Sequence, residues 1–425
     1  MCASKHTPMN QFNNIDIIYM TLFPWNNEYS SVSLSFTKEF AKNNRVFYIN
    51  HPCSLKDFWR NRKSDIAQKR KKAFLKGKMQ YEEIPGLDPN QVIAIQPPLT
   101  IPINWLPRGG LYNFFYKINR RRVLKTIQKV IKDYKIKDYV YLNCYDPFFV
   151  GTLPKDQFSP KLNIYQCIDD FAIEPYSAKH GLPLENVAIQ EADVVVVTSS
   201  NLVKIKKHMN SNIHLLPNAV DLTIFERAVS QKLPLPSEMT NIKTKTIGFT
   251  GNMDNVRFDF KLVKKLAEAH QDKTVVLVGP INCDDFYTLG LDKVPNIITT
   301  GAKNINDLPN YLQHFDVTII PFELNKQTES IYPLKINEYL AAGKAIVSTS
   351  FSEDIKTFAD WIYLAKDDHH FLQLIDVAIA ENNNQRVVHR IEKAKTNTWT
   401  ERVKAFWEIV SQNLDNGAKR KSEVK

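Results

Sequence analysis

Cysteine is scarce and scattered in this 425-residue chain: Cys2, Cys53, Cys144, Cys167 and Cys283 are odd in number and never form a CxxC pair. That argues against a disulfide scaffold or a zinc ribbon and makes a reducing compartment the default. Glycine (13) and proline (22) are few and follow no fixed period, which excludes a collagen-like or mucin-like fibre. No stretch reaches the roughly 18 to 20 uninterrupted apolar residues of a membrane span. The longest apolar runs, such as Ala192 to Thr198, are strand-sized, and the opening MCASKHTPMNQFNN lacks the apolar core of a secretory signal. These absences predict a soluble protein of the cytoplasm.

Signatures of metal and cofactor chemistry are also missing. The ten histidines form no HxxxH or HExxH pair, and Asp169-Asp170, Asp284-Asp285 and Asp367-Asp368 are adjacent rather than spaced as D-x-D. There is no GxxxxGK[ST] loop, and Gly279-Pro-Ile-Asn lacks the further glycines of a dinucleotide fingerprint. Neither a metal nor a resident cofactor is expected.

What is present begins with size. A chain of this length with 43% hydrophobic and 11% aromatic residues exceeds what one core serves, so two domains are expected and wholesale disorder is excluded. The net charge of +11 is unevenly placed: residues 51–140 hold 20 Lys/Arg against 7 Asp/Glu, whereas the rest of the chain holds 36 against 38. Within that segment, Arg60 to Lys78 carries nine basic residues and one Asp just after Phe58 and Trp59. In Leu111 to Lys132, five aromatic or leucine residues precede Arg120-Arg121-Arg122. Mixed apolar and basic stretches at 58–78 and 111–137 suit an anionic membrane surface, each cation contributing on the order of 1 kcal/mol. A solvated helix face is the competing reading; nucleic acid is not expected as a partner.

Short apolar runs alternate with helical patterns. Strand candidates are 15–21, 46–49, 92–95, 139–142, 162–165 and 194–198, with helical spacing over 30–42. A proline-containing, aperiodic stretch at 231–245 reads as a linker. Strands then recur at 246–251, 274–279, 297–300, 317–322 and 345–349, with helices at 262–270, 307–315 and 333–342. The pattern predicts an α/β protein of two Rossmann-like, doubly wound domains facing across a cleft, each with a parallel sheet covered on both sides. The expected division is an N-terminal domain over 1–230, a linker over 231–245, a C-terminal domain over 246–397, a helix near 398–415 completing the first domain, and a polar tail over 416–425.

The segment Ser330-Ile-Tyr-Pro-Leu-Lys-Ile-Asn-Glu-Tyr-Leu-Ala-Ala-Gly-Lys-Ala-Ile-Val347 carries the strongest chemical signal. Pro333 at a first helical position and Gly343 just past the end define a helix of about three turns, whose N-terminus near Leu334 favours a phosphate. Lys335 and Glu338 share one face of it; alone, such a pair also fits a surface ion pair.

Here the chain resembles the retaining GT-B glycosyltransferases of the family-4 type, whose signature is an acid, seven residues, then Glu followed by small residues and Gly. Further likenesses keep the family's order: Gly248-Phe-Thr-Gly-Asn-Met-Asp-Asn-Val-Arg257, Leu215-Leu-Pro-Asn-Ala-Val-Asp221, Gly301 to Pro321, and Asn397-Thr-Trp-Thr-Glu-Arg402. The likeness runs from about Asp16 to Phe406 and is most similar to the subgroup of teichuronic-acid and capsular polysaccharide glycosyltransferases. Three departures stand out. Ser330 occupies the place of the first acid with Glu329 one step off register; Asn252 replaces a phosphate-binding Arg; and Phe23 to Ser30 replaces an N-terminal Gly-Gly loop.

The resemblance implies a hexosyltransferase-type enzyme that moves a sugar, with retention, from a nucleotide sugar to a surface polysaccharide or lipid-linked glycan, peripheral on the inner face of the membrane. It implies donor contacts at Gly251, Asn252, Arg257, Gly301, Ser330, Pro333, Leu334, Lys335 and Glu338. Arg257 and Lys335 would stabilise the departing diphosphate, and Glu338 would accept hydrogen bonds from the ribose. In the N-terminal half Asp169 and Asp170 follow a strand. Asp170 could orient or deprotonate an acceptor hydroxyl, or be a turn acid. Asn26, Glu28 and Ser30 are further acceptor-side candidates, or a plain loop. A nucleotide-sugar epimerase of the same architecture and a non-catalytic GT-B-like binding protein are the alternatives.

Overall fold

The computed structural model describes residues 14–26, 31–173 and 175–423, with backbone alone for 175–177 and 416–423. Two compact units result: one from residues up to Thr198, Leu202–Leu216 and Val403 onward, the other from Ser199–Asn201 and Pro217–Arg402.

Among the described residues the first unit is built on eight strands: β1 (Asp16–Thr21), β2 (Arg45–Asn50), β3 (Gln80–Glu82), β4 (Val92–Gln96), β5 (Tyr139–Cys144), β6 (Asn163–Cys167), β7 (Val194–Val197) and β8 (Ile213–Leu215). Their order is β3-β4-β2-β1-β5-β6-β7-β8. All pairings are parallel except β3 against β4. Every residue of β1, β5, β6 and β7 is buried, which is why these strands read as unbroken apolar runs rather than alternations. The chain steps outward from β1 through β2 to β4, then returns to add β5 on the other side of β1. The strand order therefore reverses at β1, with Ile17 paired to both Val46 and Val140. Crevices at the carboxyl ends of strands beside such a reversal are where open α/β sheets bind ligands.

The second unit carries β9 (Lys245–Thr250), β10 (Lys273–Val278), β11 (Ile297–Thr299), β12 (Val317–Ile320), β13 (Ile346–Thr349) and β14 (Tyr363–Ala365), in the order β11-β10-β9-β12-β13-β14 and parallel throughout. Its reversal falls between β9 and β12. The helix Phe260–Ala269 illustrates the local logic: Asp259 caps it by accepting from the Leu262 N–H, and Leu262, Val263, Leu266 and Ala267 bury one stripe against the sheet.

Two boundaries differ from the sequence expectation. The first unit's early stretch ends at Leu216, not near residue 230. Pro217 onward belongs with the second unit because Val220 exchanges backbone hydrogen bonds with the Asn397–Trp399 stretch and Phe225 and Ala228 enter the second core. The supposed linker is likewise no free tether. Met239 is buried in that core, and Glu238 accepts from Lys303 and Tyr311, so the prolines shape a packed strap.

The final helix, Trp399–Glu423, joins the first unit from Val403 on. There Phe406 packs edge-on against Phe36 and Phe40, with ring centroids 6.4 and 5.1 Å apart, and Trp407 lies 5.7 Å from Phe40.

Candidate functional site

Three adjacent strands of the second unit end in glycine. Gly251 follows β9 with φ +135, Gly279 follows β10 with φ +144, and Gly301 lies just beyond β11 with φ +69. A Cβ on Gly279 would sit 2.0 Å from the Gly251 carbonyl oxygen, so only glycine admits this approach of the two strand ends. The Gly251 N–H donates to the Val278 carbonyl at 2.7 Å, and Gly279 forms a bridge with Gly301.

Lys335 lies across Gly251. A Cβ there would fall 2.3 Å from its Cε and 2.5 Å from its Nζ. The lysine is placed by its helix, Leu334–Ala341. One turn further on, Tyr339 is fully buried, and its hydroxyl accepts from the Thr250 N–H at 2.8 Å, fastening the helix to the end of β9. Asn337, on the inner side, donates to the Tyr332 hydroxyl at 3.2 Å, and Asn218 donates to the Tyr332 carbonyl at 3.1 Å. This binds the Pro217–Asp221 motif to the same helix.

The helix itself departs from expectation. Pro333 is the capping residue in extended geometry (ψ 125), not the first helical residue, and the helix is eight residues, about two turns. Gly343 does follow its end, at φ +66. Among the described residues no side chain caps the first turn, so its N–H groups from Leu334 on have no side-chain partner there.

The Lys335 ammonium has no ion pair or hydrogen bond among the described residues; it lies 5.4 Å from the Phe249 ring centre and 5.7 Å from that of Phe322. Burial and, next, the nearby Arg257 guanidinium push it down to about 8. Burial raises Glu338, opposed in part by Lys335. The two are not in ion-pair contact among the described residues, and both are half-buried, so the simple surface ion pair does not form. A cation whose charge is poorly solvated, beside a bare strand end and an uncapped helix, is an arrangement that gains from an incoming phosphate.

Arg257 is less free than its spacing suggested. Its Nε donates to Asp254 Oδ2 at 2.8 Å and a terminal nitrogen reaches the same oxygen. Burial would raise Asp254, but the Arg257 contact outweighs it and holds the carboxyl below its usual range. Asp254 Oδ1 also accepts the Val256 and Arg257 N–H groups, which folds the loop after β9. Asn252 donates to Asp254 at 3.1 Å and accepts from Asn282, tying that loop to the one after β10. Ser330 is buried and its hydroxyl accepts from Asn201 at 2.9 Å, whereas Glu329 is exposed; the inward position of the pair thus belongs to the serine.

In the first unit, Asp170 accepts the Ala172 N–H at 3.0 Å and lies 3.6 Å from Lys206, whose Nζ sits 2.7 Å from the fully buried Glu185. This is a turn acid at the edge of a buried ion pair. Asp169 is exposed, and its carbonyl accepts from the Cys167 thiol. Asn26 is half-buried with its Oδ1 unpartnered among the described residues, while Glu28 and Ser30 lie outside them. Sequence reasoning missed Asp254, Gly279 and Tyr339. Only Asp254, three residues before Arg257, left a local signal.

Comparison with known proteins places this geometry. Residues 244–377, within the second unit, match the family model described as Glycosyl transferases group 1. Over 255 residues, 56% of the chain, it is 27% identical to TuaH of Bacillus subtilis, named for teichuronic acid biosynthesis as a glycosyltransferase; the match spans 63% of that relative's length.

The fold extends over nearly the whole chain. Sucrose-phosphate synthase from Thermosynechococcus elongatus matches with a TM-score of 0.61 at 14% identity, over 97% of this chain and 100% of its own. A glycosyltransferase from Rickettsia africae matches with 0.61 at 14%, over 95% and 100%. A trehalose-6-phosphate structure from E. coli bound with UDP-2-fluoro glucose matches with 0.65 at 10%, over 93% and 99%. The protein has the GT-B fold.

Proposed function

We propose that the protein is a glycosyltransferase taking a sugar from a nucleotide-sugar donor, held by the second unit, to a surface polysaccharide or lipid-linked glycan. The observation that carries this reading is Lys335 lying over Gly251 beside Arg257, at the strand-order reversal of a glycosyl-transferase domain. As the anomeric C–O bond breaks, negative charge grows on the departing diphosphate, and a preorganised, poorly hydrated cation stabilises it better than water does. Glu338 would take hydrogen bonds from the nucleoside hydroxyls. Retention follows if the acceptor oxygen attacks on the face that the diphosphate vacates. The donor is a substrate, and no resident cofactor enters this reading.

A cytoplasmic site of action, peripheral on the inner membrane face, belongs to the same proposal. Among the described residues no helix is long and apolar enough to cross a membrane. Trp59, Trp105 and Phe114 are 69%, 72% and 60% exposed, amid or next to the basic stretches at 58–78 and 111–137, a mixture that suits anionic headgroups.

Thermal shift with a panel of uridine and guanosine sugars tests the donor reading. At least one is expected to stabilise the wild type, with the shift lost in Lys335→Ala and Glu338→Ala proteins that still fold. No shift with any donor, or undiminished shifts in both variants, would overturn it.

A further inference from the structure

The loop after β9 is laddered to the loop after β10. The Met253 N–H donates to the Pro280 carbonyl at 3.0 Å, the Met253 carbonyl accepts from the Asn282 N–H at 2.9 Å, and the Met253 side chain is fully buried. The two strand ends that meet at Gly251 and Gly279 are thus carried on as a paired rim.

A chain of side-chain hydrogen bonds crosses this rim. Asn282 donates to Asn252 Oδ1 at 2.5 Å, and Asn252 Nδ2 donates to Asp254 Oδ2 at 3.1 Å. The same carboxylate oxygen receives Arg257 through Nε, at 2.8 Å, and through Nη2. With the Val256 and Arg257 N–H groups on Oδ1, Asp254 accepts five hydrogen bonds, which fills both of its oxygens. It has no lone pair to offer a ligand.

Arg257 is in the opposite state. Only Nε and Nη2 are engaged; Nη1 has no partner among the described residues, and 36% of the side chain is exposed. Each end of the Asn252 amide already has a protein partner.

We propose that Asp254 is a positioning residue for the donor diphosphate: it holds the Arg257 guanidinium by one edge so that the other edge is presented, and Asn282 and Asn252 fix Asp254 in turn. The proposal rests on the donor reading above. It moves Asn252 from touching the phosphate, as its place in the sequence suggested, to acting through Asp254 and Arg257. An unheld arginine gives up rotamer freedom when it clamps a phosphate. Here the guanidinium is ordered before the ligand arrives, which strengthens binding without a new contact.

Charge balance points the same way. After burial, the Arg257 guanidinium is the next cause that lowers the proton affinity of Lys335, so the two cations share one neighbourhood; Glu338 and, less, Asp254 oppose it. Neighbouring cations repel each other. A carboxylate held against the arginine offsets part of that repulsion and leaves Nη1 and the Lys335 ammonium free to meet an anion.

Titration of the full chain with UDP, GDP, uridine and guanosine tests this. The wild type is expected to bind at least one diphosphate more tightly than its nucleoside. Asp254→Asn, which keeps the shape and removes the charge, should lower that preference about 10-fold. Arg257→Gln should lower it as much, and the double variant no further, because Asp254 acts only through Arg257. Asn252→Ala leaves the Asp254–Arg257 pair in place and should lower it on the order of 3-fold, which keeps the test decisive if Asp254→Asn does not fold.

If the wild type binds neither diphosphate, the donor reading fails and this one with it. If it binds one and Asn252→Ala or Asp254→Asn keeps the full preference, the donor reading stands and the positioning role falls. Equal weakening of nucleotide and nucleoside would reduce Asp254 to a structural part of the loop. Losses that add in the double variant, or tighter diphosphate binding by Asp254→Asn, also overturn the proposal, the latter because the carboxylate would then be competing with the ligand for Arg257.

Discussion

Lys335 is held where its own charge is a burden. Its pKa, about 8 in the folded protein, lies below the 10.5 of a free lysine, so the folded state releases this proton first. Below about pH 8 both states are protonated and the cost is fully present; between about 8 and 10.5 stability rises as the folded form discharges. That interval corresponds to about 3 kcal/mol. Lys335→Met, which removes the charge and keeps the length, is therefore expected to stabilise the protein at pH 7 by about 1 to 3 kcal/mol, with the gain shrinking toward pH 10. Urea unfolding at both pH values measures this. The same residue should take up a proton when a nucleotide sugar binds at pH 9. The sequence displayed Lys335, Glu338 and Gly343 because helix periodicity and stop signals are local. It could not display the contact of Lys335 with Gly251, 84 positions earlier, because that proximity exists only once β9 and the helix pack.

Among the elements, the helix Asp65–Leu75 carries four cations in eleven residues, yet they do different work. Arg70 turns inward, and its guanidinium donates twice to Glu82 at 2.6 Å, with both side chains about 10% exposed. Glu82 also accepts from the Trp25 indole at 2.9 Å, so this pair locks the helix and the loop after β1 to the antiparallel edge strand β3. Lys69, Lys71 and Lys72 are exposed. Removing one partner of a nearly buried pair strands the other, so Arg70→Ala should lower stability by about 3 kcal/mol. Replacing Lys69, Lys71 and Lys72 by alanine should leave the urea midpoint unchanged but weaken sedimentation with anionic vesicles. Equal destabilisation by both changes would contradict this division. Composition alone cannot separate them: every cation in the run looks alike until Glu82 arrives from β3. The strands, by contrast, were legible almost to the residue, because burial on both faces writes them as continuous apolar runs. Edge strands β3, β8 and β14 are only three residues each and leave no such trace.

For the whole molecule, the first unit is finished by residues from the far end of the chain. Phe406 is 1% exposed and supports Phe36 and Phe40. Phe406→Ala should cost about 3 to 5 kcal/mol, read as a lower melting temperature for the first unit, with nucleotide-sugar binding by the second retained at 20 °C. The sequence resemblance pointed to this returning helix; what it could not specify is that the boundary before the second unit falls at Leu216, a choice made by side chains such as Phe225 finding their core.

The same arrangement orders events at birth. Residues 217–402 all emerge from the ribosome between the body of the first unit and its closing helix. At about 5 to 20 residues per second that is a wait of roughly 10 to 40 s, during which the later-encoded unit can fold while the earlier one keeps Phe36 and Phe40 uncovered. The half translated first is thus completed last, and in that interval it is the natural client for a chaperone.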